Sequence, residues 1–259
     1  MKKRIITAAI LILVCVPCIL WNKISADILL MVFLTCSAFE IGRIYHKKLG
    51  KVFPLIFSIL ILVLCLLFLY TKENIVYSYF VLMVMAVACI PIFSRKIKLD
   101  DCAVTALFTT VVLFTLRGYN AVYGVNKYLF FFVILISCLV DAGAYFTGSF
   151  WPKEKHKLDE RISPNKSIEG SVGGIIIAFI IGFILLPHIV KTDILFRVLY
   201  VLMLTITGQI GDLFFSMIKR HYGIKDFGDA LAGHGGFLDR IDSIIFNLIS
   251  SGILILLLL

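Results

Sequence analysis

Residues 211–242, GDLFFSMIKRHYGIKDFGDALAGHGGFLDRID, lie between two apolar runs, 194–215 and 241–259, each long enough to cross a bilayer. The stretch holds five carboxylates (Asp212, Asp226, Asp229, Asp239, Asp242) and four basic side chains (Lys219, Arg220, Lys225, Arg240). Charge so close to hydrocarbon is costly and persists where it has a partner or a task. Opposite charges beside a glycine turn are also the kit for holding a divalent cation and a polyphosphate. The stretch therefore sets the fold on either side of it and marks where chemistry is to be sought.

Outward from it, apolar runs recur along the whole chain, at about 5–21, 27–42, 53–70, 75–93, 102–116, 128–150, 171–190, 194–215 and 241–259. The second and sixth carry Glu40 and Asp141, and the fifth is short. A composition that is 61% hydrophobic, with mean hydropathy +1.03, excludes an ordinary soluble domain. The runs are too long and continuous for barrel strands. The expected fold is an all-α polytopic membrane protein with about nine transmembrane helices. The opening MKKR and its apolar run resemble a signal peptide, but similar runs follow and no small-residue cleavage site stands out, so the reading is a retained first helix. Cys15 and Cys18, around Pro17, read as packed apolar thiols and a helix-bending proline; seven scattered cysteines give no disulfide framework.

The net charge of +9 does not point to nucleic acid once it is mapped. With nine spans, the N-terminus and the segments near 43–51, 94–101, 151–170 and 216–240 share one side and carry 19 Lys/Arg, against six on the other. That bias places the N-terminus in the cytoplasm and the C-terminus outside. It also suits an anionic lipid or nucleotide at the cytoplasmic face. Only five of the 16 acidic residues precede residue 141. Residues 1–127 thus read as a hydrophobic N-terminal scaffold. Residues 128–259 read as catalytic helices joined by charged cytoplasmic loops, 151–170 and 216–240.

Three clusters could carry chemistry. Asp212, Ser216 and Lys219 are spaced i, i+4, i+7, which puts a carboxylate, a hydroxyl and an ammonium on one helix stripe, with Gly208 and Gly211 allowing a close neighbour. Lys219 and Arg220 could instead snorkel as parts of an interhelical salt bridge. Gly233-His234-Gly235-Gly236 is a turn able to aim backbone N–H groups at an anion, and it runs into Asp239 and Asp242, one helical turn apart. Those two could be helix-dipole partners or caps, or with Asp212 an oxygen-ligand site for Mg²⁺. Lys225 and Asp226 could simply pair. Upstream, Asp141 and Tyr145 are spaced i, i+4, with Asp141 expected to face the bundle interior. Ser163, Lys166 and Ser167 could bind phosphate oxygens, although Ser167 to Gly170 also reads as a helix start.

Taken together, these residues resemble the phosphatidate cytidylyltransferase (CDP-diglyceride synthase) family. The resemblance is carried by Ser216-Met217-Ile218-Lys219-Arg220, four residues, Lys225-Asp226, then Gly233-His234-Gly235-Gly236-Phe237-Leu238-Asp239-Arg240-Ile241-Asp242, with Gly211-Asp212-Leu213 in front. Asp141-x-x-Ala144-Tyr145-Phe146-x-Gly148 and Ser163-Pro164-x-Lys166-Ser167-x-Glu169-Gly170 fit upstream. The match covers roughly residues 130–245. Three features depart from the family pattern: Ala232 replaces the usual proline, Ser167-Ile168 replaces Thr-Trp, and Phe215 stands where a glutamate is common.

The resemblance implies transfer of a cytidylyl group from CTP to phosphatidic acid, giving CDP-diacylglycerol and pyrophosphate. It implies Mg²⁺ on Asp212 and Asp239, with Asp242 or Asp141 close behind and a second cation left open. Lys219, Arg220, Lys225, Arg240 and Lys166 would grip phosphates, Gly235 and Gly236 would supply backbone donors, and His234 would orient phosphate or leaving group. Ser163, Ser167, Ser216 and Asp226 complete the expected binding set. The expected setting is a bacterial plasma membrane with the site facing the cytoplasm and lipid entering laterally; a homodimer stays open. Rival readings are a CTP-dependent polyprenol or phytol kinase, a transporter with Asp141 and Asp212 in an ion path, and an inactive scaffold.

Overall fold

A computed structural model describes residues 2–93, 96–150, 156–231, 233 and 235–258. Those residues are predominantly helical, and eight of the helices are long and apolar enough to cross a membrane. A further apolar helical stretch, Ala9–Trp21, is shorter. The chain is an integral membrane protein, and helices are the elements that satisfy every backbone group without water.

The chain forms two compact units. The first comprises residues 1–116 and 226–241. It contains α1 (Lys2–Trp21), α2 (Lys23–Ile44), the single turn α3 (His46–Leu49), α4 (Phe53–Tyr70), α5 (Glu73–Phe93) and most of α6 (Leu99–Val125). Asn22 starts α2: its Oδ1 accepts from the Ser25 N–H at 2.8 Å, and Ser25 Oγ accepts in return from Asn22 N–H at 3.4 Å. Leu34, Ala38 and Ile41 of α2 and Phe57, Ile61 and Leu64 of α4 are buried in this unit's core. Asp101, at the start of α6, accepts from Lys48 Nζ at 2.6 Å and from Lys98 N–H at 3.0 Å.

The second unit comprises residues 117–225 and 242–259. It holds the end of α6, α7 (Lys127–Phe150), a small antiparallel hairpin of β1 (Lys157–Asp159) and β2 (Ser163–Ser167), α8 (Ile168–Leu185), α9 (Ile194–His221) and most of α10 (Leu238–Leu258). Asp193 caps α9 by accepting from Phe196 N–H at 2.9 Å. The division between units runs through α6 and α10.

Most apolar runs match helices, but their ends moved. The fifth run, expected at 102–116, extends to Val125 because Arg117 and Asn120 do not end the helix: Tyr119 and Val122 are fully buried, and a Cβ at Gly118 would overlap the Leu248 carbonyl of α10. The eighth extends from the expected 215 to His221, its last turn carrying Lys219, Arg220 and His221, the basic end that the helix dipole favours. The seventh starts at Ile168 and gives way after Leu185 to a 3₁₀ turn at Leu186–His188, where Pro187 sits.

Candidate active site

In the second unit, α9 presents Asp212, Ser216 and Lys219 along one stripe, as their spacing requires. The Asp212 carboxylate forms an ion pair with the Lys166 ammonium, delivered by β2. Burial pulls Lys166 below the ordinary lysine range; the carboxylates of Asp141 and Asp242 act to hold its proton, and the Lys219 ammonium opposes them. One ammonium thus stands in the field of groups from α7, α9 and α10. Lys219 and Asp242 are buried, each 7% exposed, and Ser216 is buried beside them in sequence. The paired side chains of Lys166 and Asp212 are 35% and 21% exposed, so the pair is only partly enclosed. Asp141, expected to face the interior, is exposed, and its carboxylate acts on the Lys166 ammonium.

Close packing brings these groups together. A Cβ at Gly211 would lie 2.7 Å from the Asp242 carbonyl oxygen and 2.9 Å from Phe246, so only glycine lets α9 meet α10 here. The hairpin is fixed at both ends. Ser167 caps α8 by accepting from Gly170 N–H at 3.1 Å, and Ile168 N–H donates to His156 O at 2.8 Å. Arg220 is exposed and its guanidinium donates to two backbone carbonyls, Ile162 at 3.2 Å and Ile224 at 3.1 Å. At the hairpin tip, hydrogen bonds from Arg161 hold the Asp159 carboxyl below the usual carboxylate range. Ser163 is half-buried in β2, and Lys225 is exposed.

In the first unit, the glycine turn is ordered by carboxylates. Gly233 and Gly235 have φ of 77° and 82°, the left-handed region, and Leu231 N–H closes the turn on Gly235 O at 3.0 Å. Asp239 Oδ2 accepts from Gly236 N–H and Phe227 N–H, both at 2.9 Å, so it acts as a cap. Asp226 and Arg240 are exposed. His234 and Ala232 lie outside the described residues. The largest surprise is Glu40 of α2, 3% exposed, whose two carboxylate oxygens accept from Phe237 N–H at 2.8 Å and Leu238 N–H at 2.9 Å. In the sequence Glu40 shows only as a charge in an apolar run, and that position in hydrocarbon is its signal.

Among the described residues, no three or more His, Cys, Asp or Glu side chains gather as a ready metal cage. Asp239 belongs to the first unit and Asp212, Asp141 and Asp242 to the second. Phe215 is 1% exposed and packs edge-on against Phe214 and Phe246, at centroid distances of 5.2 and 6.2 Å. It belongs to an aromatic cluster.

Comparison with known proteins gives a consistent result. A model of the cytidylyltransferase family matches residues 2–258. A Staphylococcus haemolyticus protein named phosphatidate cytidylyltransferase is 32% identical over 253 residues, covering 96% of each chain. A Bacillus subtilis protein of the same name is 31% identical over 262 residues, covering 95% of this chain and 94% of that protein. A Staphylococcus saprophyticus relative, also so named, is 44% identical over 118 residues, 45% of each chain.

Proposed function

Since the chain belongs to the cytidylyltransferase family, we propose that it transfers the cytidylyl group of CTP to phosphatidic acid, forming CDP-diacylglycerol and pyrophosphate. The observation that carries this reading is the Lys166–Asp212 pair set among Asp141, Asp242 and Lys219. A phosphate oxygen of phosphatidate bonds to the α-phosphorus of CTP as the bond from that phosphorus to the bridging oxygen of pyrophosphate breaks. The nucleophile is already anionic, so no strong base is needed. The demand on the protein is to bring two anions together and neutralise the charge of the leaving group. Lys166 and Lys219 answer it: both ammoniums share one charged cluster, and Lys166 can exchange Asp212 for phosphate.

The donor chemistry fits Mg²⁺. The carboxylates acting on Lys166 form an oxygen-only set, and a cation is already drawn to it. Mg²⁺ is commonly held by one or two carboxylates plus substrate phosphates and water. Asp212 would be the leading ligand, with Asp242 or Asp141 beside it. When bound, the ion would neutralise charge on the phosphates of CTP. We place the N-terminus and the charged loops in the cytoplasm of a bacterial plasma membrane, where CTP is found, on the 19-to-six Lys/Arg split.

Purified protein in detergent, given CTP, phosphatidate and Mg²⁺, is expected to form CDP-diacylglycerol and to stop on chelation with EDTA. Asp212→Asn is expected to lose about 100-fold or more of that rate, the scale of removing one preorganised charge-stabilising group. A wild-type rate in Asp212→Asn would refute the assignment of this cluster.

A further inference from the structure

Glu40 is far from the signature in sequence yet makes specific contacts with it. It receives the N–H groups of Phe237 and Leu238, the first of them just before α10 and the second at its start. Two glycines exist around it: a Cβ at Gly236 would stand 2.5 Å from either carboxylate oxygen, and one at Gly228 2.6 Å from Oε1. Two further α2 side chains grip the same segment. Phe33 meets the Phe237 ring edge-on at 5.3 Å, and Arg43 pairs with Asp229 at 3.3 Å. Gly236 N–H, meanwhile, is donated to Asp239. The N–H groups of residues 236, 237 and 238 therefore all end on protein carboxylates.

We infer that Glu40 is a positioning residue for the cytidylyl-transfer reaction: it fixes the backbone of residues 236–238 and thereby the direction of Asp239, and Gly236 is a seat for Glu40 rather than part of a nest for substrate phosphate. A helix start favours an anion, and here the protein supplies its own. A buried carboxylate with two backbone donors makes a stiffer joint than water would, because both donors lose their partner if it moves. The N-terminal α2 thus acts on the start of α10 through the main chain. This inference rests on the proposed transfer reaction.

The test compares Glu40→Gln, Glu40→Ala, Gly236→Ala and the double variant Glu40→Ala/Gly236→Ala in CTP-dependent CDP-diacylglycerol synthesis, with thermal unfolding followed in parallel. Glu40→Gln keeps the shape and one acceptor, and should lower kcat about tenfold with the KM for CTP unchanged, as expected for misdirection rather than lost substrate contact. Gly236→Ala should lose a similar factor by collision with the carboxylate. The double variant should be no slower than Glu40→Ala, since the colliding group is gone. Losses that multiply in the double variant, a KM for CTP raised about tenfold in Glu40→Gln, or a wild-type kcat in Glu40→Gln would each overturn the inference. Should Glu40→Ala fail to purify folded, the Gln variant and Gly236→Ala carry the decision through the same kcat and KM split. Absence of CDP-diacylglycerol with the wild-type protein would instead contradict the transfer reaction itself.

Discussion

Lys166 and Asp212 illustrate how a charge is kept near hydrocarbon. Each would be costly alone, and together they form a partly exposed pair, which under the proposed reaction a phosphate opens. Lys166→Gln should therefore lower the rate of CDP-diacylglycerol synthesis by about 10- to 100-fold, while Lys166→Arg, which keeps the charge, should retain more activity; equal losses would contradict a charge role. Phe215 makes the opposite case. In sequence it occupies a position where glutamate is common in the resembling family, and gaining activity by restoring the carboxylate is a natural idea. In the structure the ring fills a buried aromatic cluster, so Phe215→Glu should cost about 3 kcal/mol of stability, read as a lower unfolding midpoint, and should not raise activity. Asp212, Ser216 and Lys219 were legible because helix periodicity alone sets their common stripe. Glu40 was not, because its partners lie 197 and 198 residues away and only tertiary packing brings them to it.

Between residues and molecule, the helices of the second unit are held by small residues and by polar groups inside them. Asn247, fully buried on α10, joins three helices: its Nδ2 donates to Ser137 Oγ at 2.8 Å, and its Oδ1 accepts from Thr207 Oγ1 at 2.7 Å. Thr207 Oγ1 also lies 2.9 Å from Ser250 Oγ, and Tyr200 donates to Ser251 Oγ at 3.2 Å. Such bonds contribute modestly in a bilayer, because partners remain available in the altered state. Ser137 and Thr207 each also reach a carbonyl of their own helix, so Asn247→Ala should cost only about 1 kcal/mol. Gly118→Ala should cost more, about 3 kcal/mol, since its methyl would meet the Leu248 carbonyl and neither helix can yield locally. The ranking can be checked by unfolding both variants in the same detergent; a larger loss in Asn247→Ala would contradict it. Apolar runs revealed these elements readily, and charged ends hid their limits. Hydropathy drops at Arg117 and at Lys219, whereas the backbone continues wherever one buried face still packs.

Across the whole molecule, the proposed orientation rests on the uneven distribution of 25 Lys/Arg residues. In a chain cleared of its seven cysteines, a cysteine at Lys72 or Lys191 should react with an impermeant thiol reagent in intact cells, and one at Lys48 or Lys225 only after permeabilisation. The reverse pattern would invert the proposed orientation. Composition was enough to exclude a soluble domain, and motif order was enough to suggest the reaction, but neither could show that a carboxylate from α2 is seated at the start of α10. The identity of the transferred group can be read directly by isotope. CTP labelled in its cytosine ring, and separately in its γ-phosphate, should be incubated with phosphatidate and the purified protein. The cytosine label is expected in the lipid product and the γ-label in pyrophosphate; γ-label in the lipid with the cytosine label left in free nucleotide would contradict cytidylyl transfer.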